Sequence, residues 1–212
     1  MNGEGKRKPR KVRSDKKRDI NPTVSVELRD TIFRLSFITG RSVMHVAEEI
    51  CVHGIGNKAI LDHLSQNFRK DIRIDNTLYR GDETQLHVNR RINVGQTKRV
   101  SIRFNKRTYD AIHAISYALE CTVSRACALL LDASVRDGDF INEFVRHYLE
   151  DNIDAERMQE LRRVLKYINV NNPYNEEYSW ASLLSYMMDE MKYSAEKVSD
   201  TVSEFIVKHW RD

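Results

Sequence analysis

Two arginines and a serine at alternating positions are the residues of this sequence best suited to specific recognition. Arg99, Ser101 and Arg103 are separated and followed by apolar residues, an alternation typical of a β-strand that buries one face. An arginine guanidinium presents paired N–H donors that match the O6 and N7 acceptors of guanine, and a serine hydroxyl can donate or accept a hydrogen bond. The pattern predicts a strand with one buried apolar face and one exposed polar face.

Residues with the types and spacing needed for catalysis do not occur together in the chain. The sequence contains no glycine-rich phosphate loop and no nucleophile elbow, and its seven histidines lack metal-ligand spacing. The three cysteines form no CxxC pair and fall on apolar helical faces, where cysteine acts as a small hydrophobe of a reduced protein. We therefore expect no enzyme, no cofactor, no metal site and a cytoplasmic location.

The positive charge of the chain is concentrated in two segments. Residues 1–18 hold nine Lys/Arg against two acids, and residues 69–107 hold eleven against four, although the whole chain carries only +4. A basic arm of this kind is typical of nucleic-acid binding, and it predicts DNA contacts for Arg10, Lys11 and Arg13. The arm has almost no apolar residues, and no apolar run reaches the roughly 20 residues of a membrane helix, so we expect no membrane partner.

An internal duplication organises the first 151 residues. Residues 20–71 align with residues 100–151 at a constant offset of 80 without a gap, and their apolar positions run in step although identities are sparse. Each copy predicts a short strand followed by helices of 3.6-residue periodicity. Polar residues at matching places favour helix N-caps in both copies. These caps are Ser25, Ser42, Asn105 and Thr122.

The first strand is less regular than the second, and two alignments of it are possible. The preferred one turns Ile20, Pro22 and Val24 inward and presents Asn21 and Thr23 outward. The amide side chain of an asparagine suits adenine, whereas Asp19 at the outermost position would repel phosphate. The second alignment, with a strand over 23–28, needs a four-residue deletion in the following helix and ranks lower.

The strand–helix–helix units resemble the ribbon-helix-helix (Arc/MetJ-type) DNA-binding family. The most similar segment is the one ahead of the apolar stripe of the second helix, Thr39-Gly40-Arg41-Ser42-Val43. The resemblance covers residues 19–57 and 98–137. It implies that two strands pair into a ribbon that enters the major groove, with the second helix of each unit touching the DNA backbone. The positions that it assigns to the backbone contact are Arg41, Ser42, Val43, Thr122 and Val123. Whether the strands pair within one chain or between chains is left open.

We therefore predict a mainly α protein with two ribbon-helix-helix units, each a short antiparallel β-ribbon strand plus helices, and a C-terminal helical module. The apolar stripes of that module are rich in Met and Trp, which suits a shared interface and predicts a homo-oligomer. The expected divisions are a basic arm (1–18), a first unit (19–71), a linker with one possible hairpin (72–97), a second unit (98–151) and an oligomerisation or partner module (152–212).

The function expected from these features is sequence-specific binding of double-stranded DNA by a transcriptional regulator, with repression as the commonest use of the fold and the nucleoid as its location. One alternative is a plasmid or phage accessory protein for partition or conjugative relaxation, which would recruit a second protein partner. Another is an antitoxin-like interaction adaptor, which a strand at 99–104 buried on both faces would favour.

Overall fold

The computed structural model describes residues 16–88, 95–149, 154–170 and 172–174. Within these ranges the chain is mainly helical, and its strands form short antiparallel pairs. The strands are β1 (Arg18–Ile20), β2 (Thr23–Ser25), β3 (Ile72–Ile74), β4 (Thr77–Tyr79), β5 (Thr97–Arg99) and β6 (Ile102–Phe104). The helices are α1 (Val26–Thr39), α2 (Val43–Gly56), α3 (Lys58–Ser65), α4 (Lys106–Ala118), α5 (Val123–Val135), α6 (Gly138–Leu149) and α7 (Ala155–Asn169).

The strands near residues 20 and 100 pair with each other inside the same chain. β1 pairs with β6 and β2 pairs with β5, and both pairs keep one antiparallel register. We call the resulting structure, residues 18–25 with residues 97–104, the ribbon. Pro22 separates β1 from β2 because it has no N–H, but its carbonyl accepts a 3.0 Å hydrogen bond from the N–H of Val100. Pairing within one chain answers the question that the sequence left open.

The inner face of the ribbon is part of the hydrophobic core. The alternation in the sequence predicts this, because successive side chains of a strand point to opposite faces. The buried side chains of this face are each at most 4% exposed: Ile20, Val24, Val100, Ile102 and Phe104. The lower-ranked alignment, with a strand over 23–28, is wrong because α1 begins at Val26.

Polar side chains begin the helices at equivalent places in the two copies. The hydroxyl of Ser25 accepts from the N–H of Leu28 at 3.1 Å, and the amide oxygen of Asn105 accepts from Thr108 at 2.9 Å. Ser42 and Thr122 cap α2 and α5 in the same way. All four predicted caps are therefore confirmed, and the caps of one copy are related to those of the other by the constant offset.

Helices α2 and α5 pack against each other below the ribbon and join the two copies into one core. Their approach is close at Gly54, where an added Cβ would lie 1.9 Å from the Ser134 Oγ and 2.9 Å from a methyl carbon of Leu130. The offset between the copies relates Gly54 to Ser134, so equivalent positions of the two copies meet here. The copies are thus interlocked, and neither buries its apolar surface alone.

Two segments outside the copies also contribute to this core. The hairpin of β3 and β4 buries Ile72, Ile74 and Tyr79, so residues 72–79 pack on the core as well as connecting the copies. Helix α7 packs on α1, with the Arg34 Nε 3.0 Å from a carboxylate oxygen of Glu160. The predicted apolar stripe of α7 is buried in the chain and is not an open surface for an oligomer interface. Its residues are Met158, Leu161, Leu165 and Ile168. The two later stripes predicted at 180–191 and 198–210 lie outside the described residues.

Candidate nucleic-acid interface

The outer face of the ribbon is entirely polar and exposed. The antiparallel register, continued across the break at Pro22, sets the outward residues of the two strands opposite one another in four pairs. All five strand residues predicted to recognise DNA, Asn21, Thr23, Arg99, Ser101 and Arg103, lie on this face. The opposing residues are Asp19 and Arg103, Asn21 and Ser101, Thr23 and Arg99, and Ser25 and Thr97.

The two arginines of this face have different neighbours. The Arg103 Nε lies 2.8 Å from the carboxylate Oδ1 of Asp19, and both side chains are 61% exposed. Arg99 is instead in register with Thr23, which carries no charge, and makes no ion pair within the described part of the chain. The acidic residue that seemed a defect at the outermost position therefore neutralises one of the two predicted base-reading arginines.

The first predicted contact to the DNA backbone, at the N-terminus of α2, has cations that pair with carboxylates of the chain itself. We call this helix start the first clamp. The Arg41 Nη1 lies 2.7 Å from the Glu49 Oε1 and contacts the ring of His45. One turn along the same helix, Glu48 binds the ammonium of Lys17 at 2.6 Å. The free N–H groups of a helix N-terminus attract anions, but here the adjacent cations already have carboxylate partners.

The second clamp, at the N-terminus of α5, holds a cation that the sequence patterns did not single out. Arg125 lines a cleft of about 530 Å³ together with Thr23 and Thr97 at one end of the ribbon. Its Nε is buried and has no hydrogen-bond partner among the described residues. Its position in the sequence could have identified Arg125 as a candidate. It lies one turn into a helix already predicted to face DNA, where it is the second-copy equivalent of His45.

The predicted contacts at the first helical position after each cap are less accessible. Val43 and Val123 are half-buried and pack on the core, so their side chains mainly anchor the helix starts. Ser42 and Thr122 are exposed and cap their helices. The arm residues Arg10, Lys11 and Arg13 lie outside the described residues.

The turn before α5 is held by a charged cluster. Glu120 has a φ of 49°, and its counterpart in the first copy, Gly40, has a φ of 66°, a region that glycine occupies without strain. The Glu120 carboxylate is 2.6 Å from the Arg69 Nε and 2.9 Å from the Lys70 Nζ. Hydrogen bonds from Lys70 and then Arg69 lower the pKa of Glu120 to about 2. The ionised carboxylate thus stabilises a turn that its backbone alone would disfavour.

This cluster predicts a defined loss of stability in acid. Since the pKa of Glu120 is depressed on folding, its contribution is complete above the unfolded pKa near 4.5 and declines as the pH falls toward 2. We expect Glu120→Gln to be less stable than the parent at pH 7, with the difference shrinking between pH 4.5 and 2. Urea unfolding at several pH values measures this. The control is Glu143→Gln, an exposed glutamate of α6 away from the cluster, and a pH-independent difference for Glu120→Gln would contradict the prediction.

The described ranges were also compared with the features of metal sites and membrane spans. No group of three or more His, Cys, Asp or Glu side chains is arranged to hold a metal ion there. No single helix in the described residues is long and apolar enough to span a membrane. One bent pair of helices, α4 with α5, would be long and apolar enough if taken together.

Comparison with protein-family models, curated proteins and solved structures finds no match.

Proposed function

We propose that this chain is a sequence-specific double-stranded DNA-binding protein of the tandem ribbon-helix-helix type. It inserts the outer face of the ribbon into the major groove and acts as a transcriptional repressor at the nucleoid. The observation that carries the proposal is a two-stranded ribbon with an apolar buried face and an entirely polar exposed face. A two-stranded β-ribbon fits the major groove, where each base pair has a distinct donor and acceptor pattern.

The supporting structure of the ribbon favours the same function. An isolated two-stranded hairpin is marginally stable in water, so a ribbon exposed on one face needs a core on the other. Helices α2 and α5 provide that core: Glu48 of α2 binds Lys17 beside β1, and Arg125 of α5 lines a cleft together with Thr23 and Thr97. An adaptor role would have been favoured by a strand buried on both faces, but Arg99, Ser101 and Arg103 are exposed.

Association into homo-oligomers belongs to the same proposal and is assigned to residues 175–212. The stripe of α7 is buried against α1, so a truncation at residue 151 would also remove part of the core. A chain ending at Tyr174 keeps α7 and tests the tail alone. We expect light scattering to show a smaller assembly for this chain than for the full chain, and equal stoichiometry would place the interface elsewhere.

Selection from a random double-stranded DNA library tests the main proposal. We expect the purified chain to enrich one sequence class, and to bind it at least a thousandfold more tightly than random DNA, as specific DNA-binding proteins typically do by ~10³ or more. Failure to enrich any sequence would overturn sequence-specific recognition. Uniform binding to all DNA would leave only an electrostatic function of the basic segments.

The basic arm predicts a salt effect that is separable from sequence preference. Removal of residues 1–15 leaves Lys17 and β1 in place and takes away six Lys/Arg. We expect the log–log dependence of affinity on salt to flatten by roughly 0.9 for each phosphate that the arm contacts, with the preferred sequence unchanged. Fluorescence anisotropy measures this slope in a salt series from about 50 to about 300 mM, which includes the physiological ionic strength. An unchanged slope would mean that the arm does not touch DNA.

A further inference from the structure

The two ends of the ribbon differ in how their cations are paired. We call the end with Asp19 opposite Arg103 the Asp19 end, and the end with Thr23 opposite Arg99 the Arg99 end. The register continued from both sides sets Asn21 opposite Ser101, and the offset between the copies relates these same two residues. The relation between the two copies therefore exchanges the ends about this central pair. The backbone positions of the two ends are therefore equivalent, although the side chains that they carry differ.

At the Asp19 end the cations are paired with carboxylates of the chain itself. Arg103 is bound by Asp19, and Lys17 beside it is bound by Glu48 of α2. Arg41, at the N-terminus of that helix, is bound by Glu49. Any phosphate or base approaching this end must compete with an existing partner for each of these cations.

At the Arg99 end the equivalent acids are missing. The second-copy equivalents of Glu48 and Glu49 are Ala128 and Leu129, and both line the cleft beside this end. Arg99 is in register with an uncharged residue, and Arg125 has a buried Nε without a partner among the described residues.

The acids that do lie near this end leave its cations available. Asp132 is engaged by Arg136 at 3.2 Å and by the hydroxyl of Tyr167 at 2.7 Å. Glu27, in the first turn of α1, is exposed and forms no ion pair with Arg99 or Arg125 in the described ranges.

We propose that the protein binds DNA in one orientation, with the Arg99 end supplying most of the affinity because Asp19 occupies Arg103 at the other end. This inference rests on the proposed function and names the element that sets its specificity. A guanidinium without a partner can form the bidentate contact to guanine, whereas Arg103 must first give up the Asp19 carboxylate. The expected recognition sequence is therefore strongly specified on one side of its centre and weakly on the other.

Two substitutions that give both ends of the ribbon the same kind of cross-strand pair test the role of Asp19. Asp19→Thr reproduces at one end the Thr–Arg pair of the other, and Thr23→Asp reproduces the Asp–Arg pair. Both changes lie on the exposed outer face, so neither disturbs the core. We expect Asp19→Thr to tighten binding about 2- to 5-fold, the effect of releasing an exposed ion pair, and Thr23→Asp to weaken it roughly tenfold.

The sequences selected by each variant give the decisive result. Selection from a random library should return a consensus specified mainly on one side of its centre for the parent, on both sides for Asp19→Thr, and weakly on both sides for Thr23→Asp. A parent consensus specified equally on both sides of its centre, or an Asp19→Thr consensus still specified on one side only, would overturn the role of Asp19 while the ribbon remained the DNA surface. If neither variant changed affinity or consensus, the ribbon would not be the DNA surface, and the proposed function would fail with it.

Discussion

Replacing Arg99 by alanine should weaken binding to the selected DNA sequence by about 1–3 kcal/mol and relax the preference at one base pair. The reason is that Arg99 is the outer-face arginine without a carboxylate partner in the described structure, so its guanidinium is ready for a bidentate contact. Competition binding against a set of single-base variants of the selected sequence measures both effects.

Lys98 provides a matched control for this substitution. It is adjacent, carries the same charge and is exposed, but its Cβ lies on the opposite side of the strand, in register with Val24. Because Lys98 does not lie on the outer face, Lys98→Ala should leave the base preference unchanged, and any loss of affinity should be smaller than that of Arg99→Ala and uniform across sequences. If Arg99→Ala gave the same uniform loss, Arg99 would contact phosphate and not a base.

Replacing Phe104 by alanine should destabilise the fold by about 3–5 kcal/mol. Phe104 is among the largest fully buried side chains, and it joins the ribbon to the helices that support it. Its removal leaves a cavity under β6 that the surrounding helices cannot fill by small shifts. Urea unfolding followed by circular dichroism measures the loss.

The control for this effect is Tyr117→Ala on α4. Tyr117 is similar in size but 55% exposed, so its loss should change the stability by less than about 1 kcal/mol. DNA affinity of Phe104→Ala, measured where the protein is still folded, should fall as well, because the ribbon depends on this packing. A stability change as small as that of Tyr117→Ala would mean that the ribbon is not integral to the core.

The ribbon and the helix starts were predictable because their signals are local. Alternation with period two assigns Ile102 and Arg103 to opposite faces of a strand whatever lies beyond them. A cap such as Ser25 requires only the N–H of a residue three positions later. The constant offset predicted matching elements in the second copy for the same reason, since similar local patterns form similar local structure.

The pairing of charges was not predictable from these patterns. Asp19 and Arg103 are 84 residues apart, and they meet because one antiparallel register out of several possible ones is adopted. The absence of an acid beside Arg99 in the described structure likewise depends on which elements lie next to the ribbon. Ionic partners are chosen by distance in space, and the sequence contains no periodic signal for them.

The C-terminal helix illustrates the same division between local and tertiary information. The spacing of Met158, Leu161 and Leu165 predicted a helix with one apolar face, and α7 confirms that helix. An apolar stripe indicates that a helix face must be buried but does not indicate which surface covers it, because any apolar partner removes the stripe from water equally well. Only the packing of α7 on α1 assigned that stripe to the core of the chain itself and not to a second copy.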